Sequence, residues 1–266
     1  MNTLPRRNLG NSPMRVSCIG LGTVKLGRNQ GVKYPSGFAI PDDRAARNLL
    51  ARAQALGINL IDTAPAYGSS EERLGVLLKD RQQWIICTKV GEEFEQGKSW
   101  FDFSAAHTRH SVERSLTRLR TDVLDMVLVH SSGEDLQVLQ HSDCLGTLLD
   151  LKAEGKVKAV GFSGKTVAGG LLALRDCDVV MVTCNPAATG ELAVIDAAAT
   201  AGKGVLIKKG LQSGHLAADG GKDPVQANLD FIFTHTGITS VITGTVNPQH
   251  LEHNVACAIR AISGGE

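Results

Sequence analysis

The chain has 266 residues, enough for one large α/β barrel or two ordinary domains with a substantial core. Lys and Arg number 28 against 27 Asp and Glu, so no strong field exists to attract nucleic acid or an anionic membrane. No apolar run approaches the roughly 18 residues of a membrane span, and the first residues lack the apolar core of a secretory signal. We therefore expect a cytoplasmic protein, monomeric or a small homo-oligomer, that acts on a small molecule without nucleic-acid or membrane partners.

Six cysteines are scattered along the chain without a CxxC pair or a His/Cys cluster at zinc spacing. Several lie in apolar runs, such as the one in WIICTKV. Free cysteine behaves as a small apolar residue, so we expect buried, reduced thiols and no metal site. The six are Cys18, Cys87, Cys144, Cys177, Cys184 and Cys257.

Short β-rich runs alternate with helical stretches from RVSCIGLGT to TSVITGT, and eight such runs can be counted. The runs are nearly continuous in apolar residues, which is typical of parallel strands covered on both faces. With no linker or break in composition, this pattern predicts a single-domain α/β protein, a (β/α)8 TIM barrel, over residues 1–266. An open doubly wound sheet is the alternative. A Gly-Asn turn before the first run predicts an N-terminal β-hairpin that closes the barrel bottom.

Active sites of (β/α)8 barrels lie at the C-terminal ends of the strands, so the strand ends are the places to look for chemistry. The first strand ends in Gly20-Leu21-Gly22-Thr23. A dinucleotide fingerprint is a weak interpretation, because Lys25 occupies the third glycine position and no suitably placed acidic residue follows. Gly22 more simply permits close approach of a ligand, with the Thr23 hydroxyl at the barrel mouth. A plain turn would explain the same residues.

Four polar side chains follow apolar stretches at the next strand ends: Asp62, Tyr67, Lys89 and His130. Each alone has a structural explanation, because an aspartate can cap a loop, a lysine can extend to solvent and a histidine can be structural. A buried carboxylate needs a cation, however, and Lys89 would supply it for Asp62. Reducing a carbonyl by hydride transfer needs a proton donor and oxyanion stabilisation. We therefore predict Tyr67 as the acid, its ionised form favoured by Lys89, and His130 as the residue that orients the substrate oxygen.

The stretches IDTAPAYGSSEERLG, CTKVG, LVHSSG and ITGTVNPQHLEHN resemble, in order, the signatures of the aldo-keto reductases across almost the whole chain. This resemblance implies a catalytic tetrad of Asp62, Tyr67, Lys89 and His130, with an extended nicotinamide cofactor across the barrel mouth. It implies NADPH as the cofactor, with NADH as an alternative, and a small carbonyl substrate. The cofactor-binding residues it implies are Gly22, Thr23, Asp62, Ser163, Lys208, Lys209, Gly210, Leu211, Gly214, Gly244, Thr245, His250 and Asn254.

The chain departs from the family pattern around the implied nicotinamide. Gly164 replaces an asparagine and Met181 replaces a glutamine, each of which would hold the carboxamide, so Ser163 alone remains of that set. Lys208 replaces an aromatic residue that would stack on the ring. Its alkyl stem could cover the ring while its ammonium reaches the pyrophosphate, with Lys209 either beside it or turned outward by strand alternation.

At the implied adenosine phosphate, His250 takes the place of an arginine and His253 that of an acidic residue, which makes the preference for NADP over NAD weaker. The aromatic candidates for the substrate pocket are Tyr34, Trp100, Phe101 and Phe103, with Gly97, Lys98 and Trp100 expected in a polar loop. Two other functions remain open. Lys89 could act as the Schiff-base nucleophile of an aldolase, or the altered carboxamide contacts could belong to a cofactor-sensing subunit with little turnover.

Overall fold

Eight parallel strands form a closed barrel in the computed structural model, which describes residues 3–216 and 223–264. The strands of the protein are β1 (Arg6–Asn8), β2 (Arg15–Ser17), β3 (Ile19–Gly22), β4 (Leu60–Asp62), β5 (Ile85–Val90), β6 (Glu92–Glu95), β7 (Lys98–Phe101), β8 (Leu124–His130), β9 (Val157–Ser163), β10 (Val179–Thr183), β11 (Gly204–Lys208) and β12 (Ser240–Thr243). The barrel contains β3, β4, β5 and β8 to β12, and pairing of β12 with β3 closes it. The predicted (β/α)8 barrel is confirmed, and the open sheet is excluded.

Helices connect the strands and pack around the outside of the barrel. They are α1 (Val24–Gly27), α2 (Asp43–Ala55), α3 (Ser70–Leu77), α4 (Ala105–Leu119), α5 (Asp135–His141), α6 (Cys144–Ala153), α7 (Val167–Ala173), α8 (Leu192–Thr200), α9 (Pro224–Phe233) and α10 (Pro248–Ser263). The sequence of α2 shows why such a helix forms here. The Asp42 side chain accepts a hydrogen bond from the Ala45 amide at its start, and Ala46, Leu49, Leu50 and Ala53 form one buried face.

The predicted N-terminal hairpin is present, formed by β1 and β2. Its side chains Leu9, Met14 and Val16 enter the apolar cluster inside the barrel and close its N-terminal end. Gly10 makes the turn with a φ of 54°. A Cβ at this glycine would lie 2.5 Å from the Gly202 carbonyl oxygen, so the turn needs glycine for space as well as for conformation.

Two details differ from the sequence-based predictions. The run RVSCIGLGT is split, because the Ser17 amide donates to the Asn59 side chain at 2.7 Å, and the barrel strand begins only at Ile19. The stretch expected as a polar loop after the third barrel strand is a β-hairpin instead, with β6 paired to β7. Gln96 and Gly97, both at positive φ, form its two-residue turn, a conformation that suits the twist of a hairpin.

The six cysteines are buried and free of disulfides in the part of the chain that the structure describes, as expected. Within the same residues, no helix is long and apolar enough to cross a membrane. The main hydrophobic core lies between the barrel and the surrounding helices. It contains the outward-facing apolar residues of the strands and the inner faces of the helices, as expected for this architecture.

Two helical glycines provide a test of the packing between the helix layer and its neighbours. A Cβ at Gly75 in α3 would lie 2.0 Å from the carbonyl oxygen of Arg118 in α4, whereas a Cβ at Gly146 in α6 would meet nothing within 4 Å. We expect Gly75→Ala to lower the free energy of unfolding by about 1–3 kcal/mol through overpacking. We expect Gly146→Ala to raise it by about 0.5–1 kcal/mol, because alanine is the better helix former. Urea denaturation of both variants measures the difference, and equal effects would contradict the close approach of α3 and α4.

Candidate active site

Strand alternation brings three of the four predicted catalytic side chains into the barrel interior. In a strand, residues two apart point to the same face. The residue two positions before each of these side chains belongs to the apolar cluster inside the barrel. These pairs are Leu60 and Asp62 in β4, Cys87 and Lys89 in β5, and Leu128 and His130 in β8. Apolar residues thus fill the lower layer of the barrel, and the polar residues form the layer above it at the strand ends.

Tyr67 comes from the loop after β4, where a single helical turn spans Pro65–Tyr67. The Arg28 guanidinium donates to the Ala66 carbonyl oxygen at 3.0 Å and fixes this turn. All four predicted catalytic residues line one cavity of about 700 Å³ at the C-terminal ends of the strands. That volume lies within the range of small-molecule and cofactor sites.

Asp62 and Lys89 form a buried ion pair at the base of this cavity. The Lys89 ammonium donates to Asp62 Oδ1 at 2.5 Å and to the Thr63 carbonyl oxygen at 2.8 Å. Burial alone would lower the pKa of Lys89, but the Asp62 charge, with smaller contributions from Tyr67 and Cys87, outweighs it and raises this pKa above its usual value. Lys89 is therefore held as a cation, and this state opposes its use as a Schiff-base nucleophile.

The Tyr67 hydroxyl lies above this pair, 3.5 Å from Asp62 Oδ2, and the Lys89 ammonium is 4.9 Å from the centre of the Tyr67 ring. Burial raises the pKa of Tyr67, Lys89 lowers it, and Asp62 raises it. The net effect is a raised pKa. Lys89 therefore acts on Tyr67 in the predicted direction, and desolvation of the phenolate is the larger, opposing effect.

His130 has a charged neighbour that the sequence analysis did not identify. Its Nδ1 atom lies 3.0 Å from Oε2 of Glu92, the first residue of β6. Oε1 of Glu92 accepts a hydrogen bond from the Ser99 hydroxyl at 2.6 Å and lies 3.8 Å from the Arg28 guanidinium. Only the β6–β7 hairpin turns Glu92 back over the barrel, and a hairpin signal at Gln96-Gly97 was the sequence feature that could have indicated it.

These neighbours determine the charge of both groups. Burial would raise the pKa of Glu92, but the contact with His130, the Ser99 hydrogen bond and the Arg28 charge together lower it to about 2. Burial lowers the pKa of His130, Glu92 opposes this effect, and Lys89 and Lys208 add to it. Glu92 is therefore ionised at neutral pH beside a largely neutral imidazole.

The predicted cofactor-binding residues are brought together in the same cavity, with one exception. Those that line it are Gly22, Thr23, Asp62, Ser163, Lys208, Lys209, Leu211, Gly214, Gly244, Thr245, His250 and Asn254. Gly210 is not among the lining residues. A Cβ at Gly210 would lie 2.8 Å from Val241 and 3.0 Å from Ile232, so this glycine permits close packing of the strand end against neighbouring side chains.

Lys208 and Lys209 both line the cavity but occupy different environments, and strand alternation does not apply to Lys209 because β11 ends at Lys208. The Lys208 ammonium donates to the Ser163 hydroxyl at 3.1 Å and to the Gly164 carbonyl oxygen, whereas Lys209 is exposed and has a φ of 56°. Burial lowers the pKa of Lys208 to about 8. The ammonium thus lies beside the end of β9, where the resemblance had placed the carboxamide, and its observed contacts differ from the expected reach toward a pyrophosphate.

The opposite end of the cavity has a smaller set of polar groups. The Thr245 hydroxyl accepts a hydrogen bond from the Asn247 amide at 3.0 Å, next to the start of α10. His250 and His253 both line the cavity, and His253 Nε2 lies 2.8 Å from Asp223 Oδ2. At the first strand, the Thr23 hydroxyl donates to the Asp62 carbonyl oxygen at 2.9 Å, so it connects β3 to β4 as well as facing the cavity.

Of the four aromatic candidates for the pocket, Tyr34 alone lines the cavity. Trp100 and Phe101 lie on the β6–β7 hairpin with exposed side chains, and Phe103 packs against Gly91. The sequence analysis missed Lys25 and Phe38. The Lys25 ammonium lies 4.1 Å from the centre of the Tyr34 ring and 5.0 Å from that of Phe38, so a cation–π cluster forms one wall.

Comparison with known proteins gives matches that agree with the fold and the site described above. The model of the "Aldo/keto reductase family" matches residues 18–187. L-galactose dehydrogenase of Arabidopsis thaliana is 36% identical over 172 residues, covering 62% of this chain and 50% of that protein. The first curated relatives are thus matched over about half of their length. Pyridoxine 4-dehydrogenase of Escherichia coli is 30% identical, covering 91% of this chain and 89% of that protein.

Solved structures extend the similarity over nearly the whole chain. The crystal structure of a proposed aldo-keto reductase from Pseudomonas aeruginosa has a TM-score of 0.89 and 54% sequence identity, and covers 98% of each chain. An aldo-keto reductase from Bacillus halodurans has the same fold, with a TM-score of 0.79, 23% identity, and coverage of 98% of this chain and 96% of that chain. Together with the family match and the barrel itself, these similarities show that the chain belongs to the aldo/keto reductase family.

Proposed function

We propose that this protein reduces aldehyde or ketone carbonyls to alcohols with hydride from NADPH or NADH, and that Tyr67 is the general acid. The observation that carries the proposal is the buried Asp62–Lys89 pair directly beneath the Tyr67 hydroxyl, in a cavity at the strand ends. An ammonium near a phenol stabilises the phenolate that remains after proton donation. Family membership and the oxidoreductase names of the relatives support the same chemistry.

The cavity also fits a nicotinamide dinucleotide. Its volume of about 700 Å³ suits such a ligand, and its walls carry cations from Lys25 and Lys209 that complement a pyrophosphate and a further phosphate. Gly22 and Gly244 leave the backbone at one wall open to close approach. When bound, the dihydronicotinamide ring supplies the hydride.

Each catalytic residue then has one task. Tyr67 donates its proton to the carbonyl oxygen as negative charge develops there. Lys89 stabilises the resulting phenolate, and Asp62 keeps Lys89 charged in a buried position. We propose that His130 positions the carbonyl oxygen from the neighbouring strand end.

The names of the relatives and the residues of the cavity indicate the class of substrate and the cofactor. Relatives are named for L-galactose, methylglyoxal and pyridoxine, which are all small polar compounds, so we propose a small polar carbonyl compound as the substrate. We keep NADPH as the proposed donor, with NADH as the alternative because His250 replaces an arginine. One relative is named as an NADH-specific reductase.

Six unpaired thiols in the described residues suit a reducing compartment, so we propose the cytoplasm as the location.

Replacing Tyr67 by Phe tests the assignment of the general acid. Because the ring is retained and only the hydroxyl is lost, we expect cofactor binding to persist while the rate of carbonyl reduction falls by about 10²–10⁴-fold. The rate is measured as the substrate-dependent loss of NADPH absorbance with a reactive aldehyde. Tyr34→Phe removes the other tyrosine hydroxyl of the cavity and should reduce the rate far less. A Tyr67→Phe enzyme with unchanged rate would overturn the proposed mechanism.

Replacing Glu92 by Gln tests the electrostatic control of His130. The ionised Glu92 carboxylate stabilises the imidazolium, so its neutral isostere should lower the pKa of His130 further. The imidazole resonances of His130 in NMR spectra recorded against pH report this pKa directly. Ser99→Ala removes the hydroxyl that donates to Glu92 but keeps the carboxylate, so it should shift the pKa of His130 less. A rise in this pKa on Glu92→Gln would contradict the electrostatic effect of Glu92 on His130.

A further inference from the structure

Lys208 is a partly buried cation at the end of β11 that the proposed proton transfer does not use. Its ammonium has two neutral oxygen partners, the Ser163 hydroxyl and the Gly164 carbonyl, and no carboxylate forms an ion pair with it among residues 3–216 and 223–264. An ammonium without a counter-ion in a desolvated wall is costly, and such groups concentrate at functional sites. We therefore looked for a role of Lys208 in binding the ligand of the cavity.

The position of Lys208 relative to the reacting atoms is fixed by strand pairing. His130 at the end of β8 pairs with Ser163 at the end of β9, and the Lys208 ammonium lies 3.1 Å from the Ser163 hydroxyl. Lys208 is close enough for its charge to lower the pKa of His130. The ammonium is thus one strand away from the residues that surround the carbonyl oxygen.

Under the proposed function, the nicotinamide ring would lie in the same part of the cavity. Under the proposed function, the carbonyl oxygen is within hydrogen-bond reach of Tyr67 and the carbonyl carbon within roughly 3–3.5 Å of the ring carbon that gives the hydride. Because the resemblance implies that Ser163 holds the carboxamide, we infer that the ring would lie between the Tyr67 side of the cavity and the wall that contains Ser163 and Lys208. A cation in that wall faces a ring whose charge changes during the reaction, because the ring is neutral when reduced and carries one positive charge when oxidised.

We propose that Lys208 makes the protein discriminate between the two redox states of its cofactor, binding the neutral reduced nicotinamide in preference to the cationic oxidised one. This inference rests on the proposed function, because it concerns the same cavity and cofactor. Repulsion between two like charges a few ångströms apart, partly screened at the barrel mouth, changes a binding constant by on the order of tenfold. The consequence is a site that takes up the hydride donor readily and releases the oxidised product.

NADPH and NADP⁺ are the appropriate probes, because they carry the same phosphates and adenosine and differ at the nicotinamide ring. The ratio of their dissociation constants, measured by isothermal titration calorimetry without substrate, cancels every contact that both forms share. We expect the wild-type protein at about pH 7 to bind NADPH more tightly. Lys208→Met keeps an apolar stem without the charge and should reduce the preference by about tenfold, mainly through tighter NADP⁺ binding.

Two further variants separate this proposal from other uses of the lysine. Lys208→Arg keeps a cation and should retain most of the preference. Lys209→Met removes a neighbouring, exposed cation of the same cavity and should weaken both cofactors alike, leaving the ratio unchanged. If Lys208→Met weakens NADPH and NADP⁺ equally, Lys208 is a phosphate ligand and the proposal is wrong. An unchanged ratio, or one that rises, also overturns it.

Raising the pH gives a second arm without mutation. Burial lowers the pKa of Lys208 to about 8, with Glu191 and Asp135 opposing this shift and Lys209 and Lys165 adding to it. The charge is present below this pKa and lost above it, so the preference for NADPH should decline between about pH 7 and about pH 9.5 in the wild type. The ratio of dissociation constants of Lys208→Met should change much less over the same pH range. Because Tyr67, Lys89 and His130 are common to both proteins, the difference between the two pH profiles reports Lys208.

The outcomes also separate this inference from the proposed function. Failure of the wild-type protein to bind either nucleotide would remove the basis of both. Binding of both nucleotides, with no dependence of their ratio on Lys208, would reject only the inference. The catalytic assignment of Tyr67 would stand or fall on the reduction rate of its own variant.

Discussion

The buried ion pair of Asp62 and Lys89 is the constraint on which the upper layer of the barrel depends. Two charges are removed from water at the ends of adjacent strands, and either one alone would be strongly destabilising. The 2.5 Å contact, with the second hydrogen bond of Lys89 to the Thr63 carbonyl oxygen, offsets that cost and fixes the lysine as a cation. A phenol placed over such a fixed charge has a stabilised conjugate base, and this is the physical link between the fold and the proposed proton transfer.

Opposing effects of burial recur throughout the site. Desolvation raises the pKa of Tyr67 and lowers the pKa values of His130 and Lys208. At each of these residues, some neighbouring charges oppose the effect of desolvation and others add to it. Glu92 is the clearest case, because three neighbouring groups keep it ionised despite its burial. The cavity therefore holds several charges whose states depend on one another, and a bound ligand that excludes water would strengthen all of these interactions.

The region around the inferred nicotinamide position differs from the family pattern in a chemically consistent way. Amide side chains and an aromatic ring are replaced by Gly164, Met181 and Lys208. The Lys208 ammonium lies beside Ser163 and Gly164. Under our proposal, one cation takes the place of several neutral contacts and makes the site sensitive to the charge of the ring.

Sequence patterns were sufficient to predict the barrel and the interior positions at the strand ends. They were sufficient because apolar continuity, helix spacing and the two-residue period of a strand are local properties. Asp62, Lys89 and His130 follow directly from that period. Glu92, Lys25 and Phe38 could not be predicted in this way. The β6–β7 hairpin brings Glu92 to His130, while α1 and the loop before α2 bring Lys25 and Phe38 to the cavity. The tertiary structure alone decided that the ammonium of Lys208 turns to the end of β9, because that choice depends on which oxygen atoms the neighbouring strand presents.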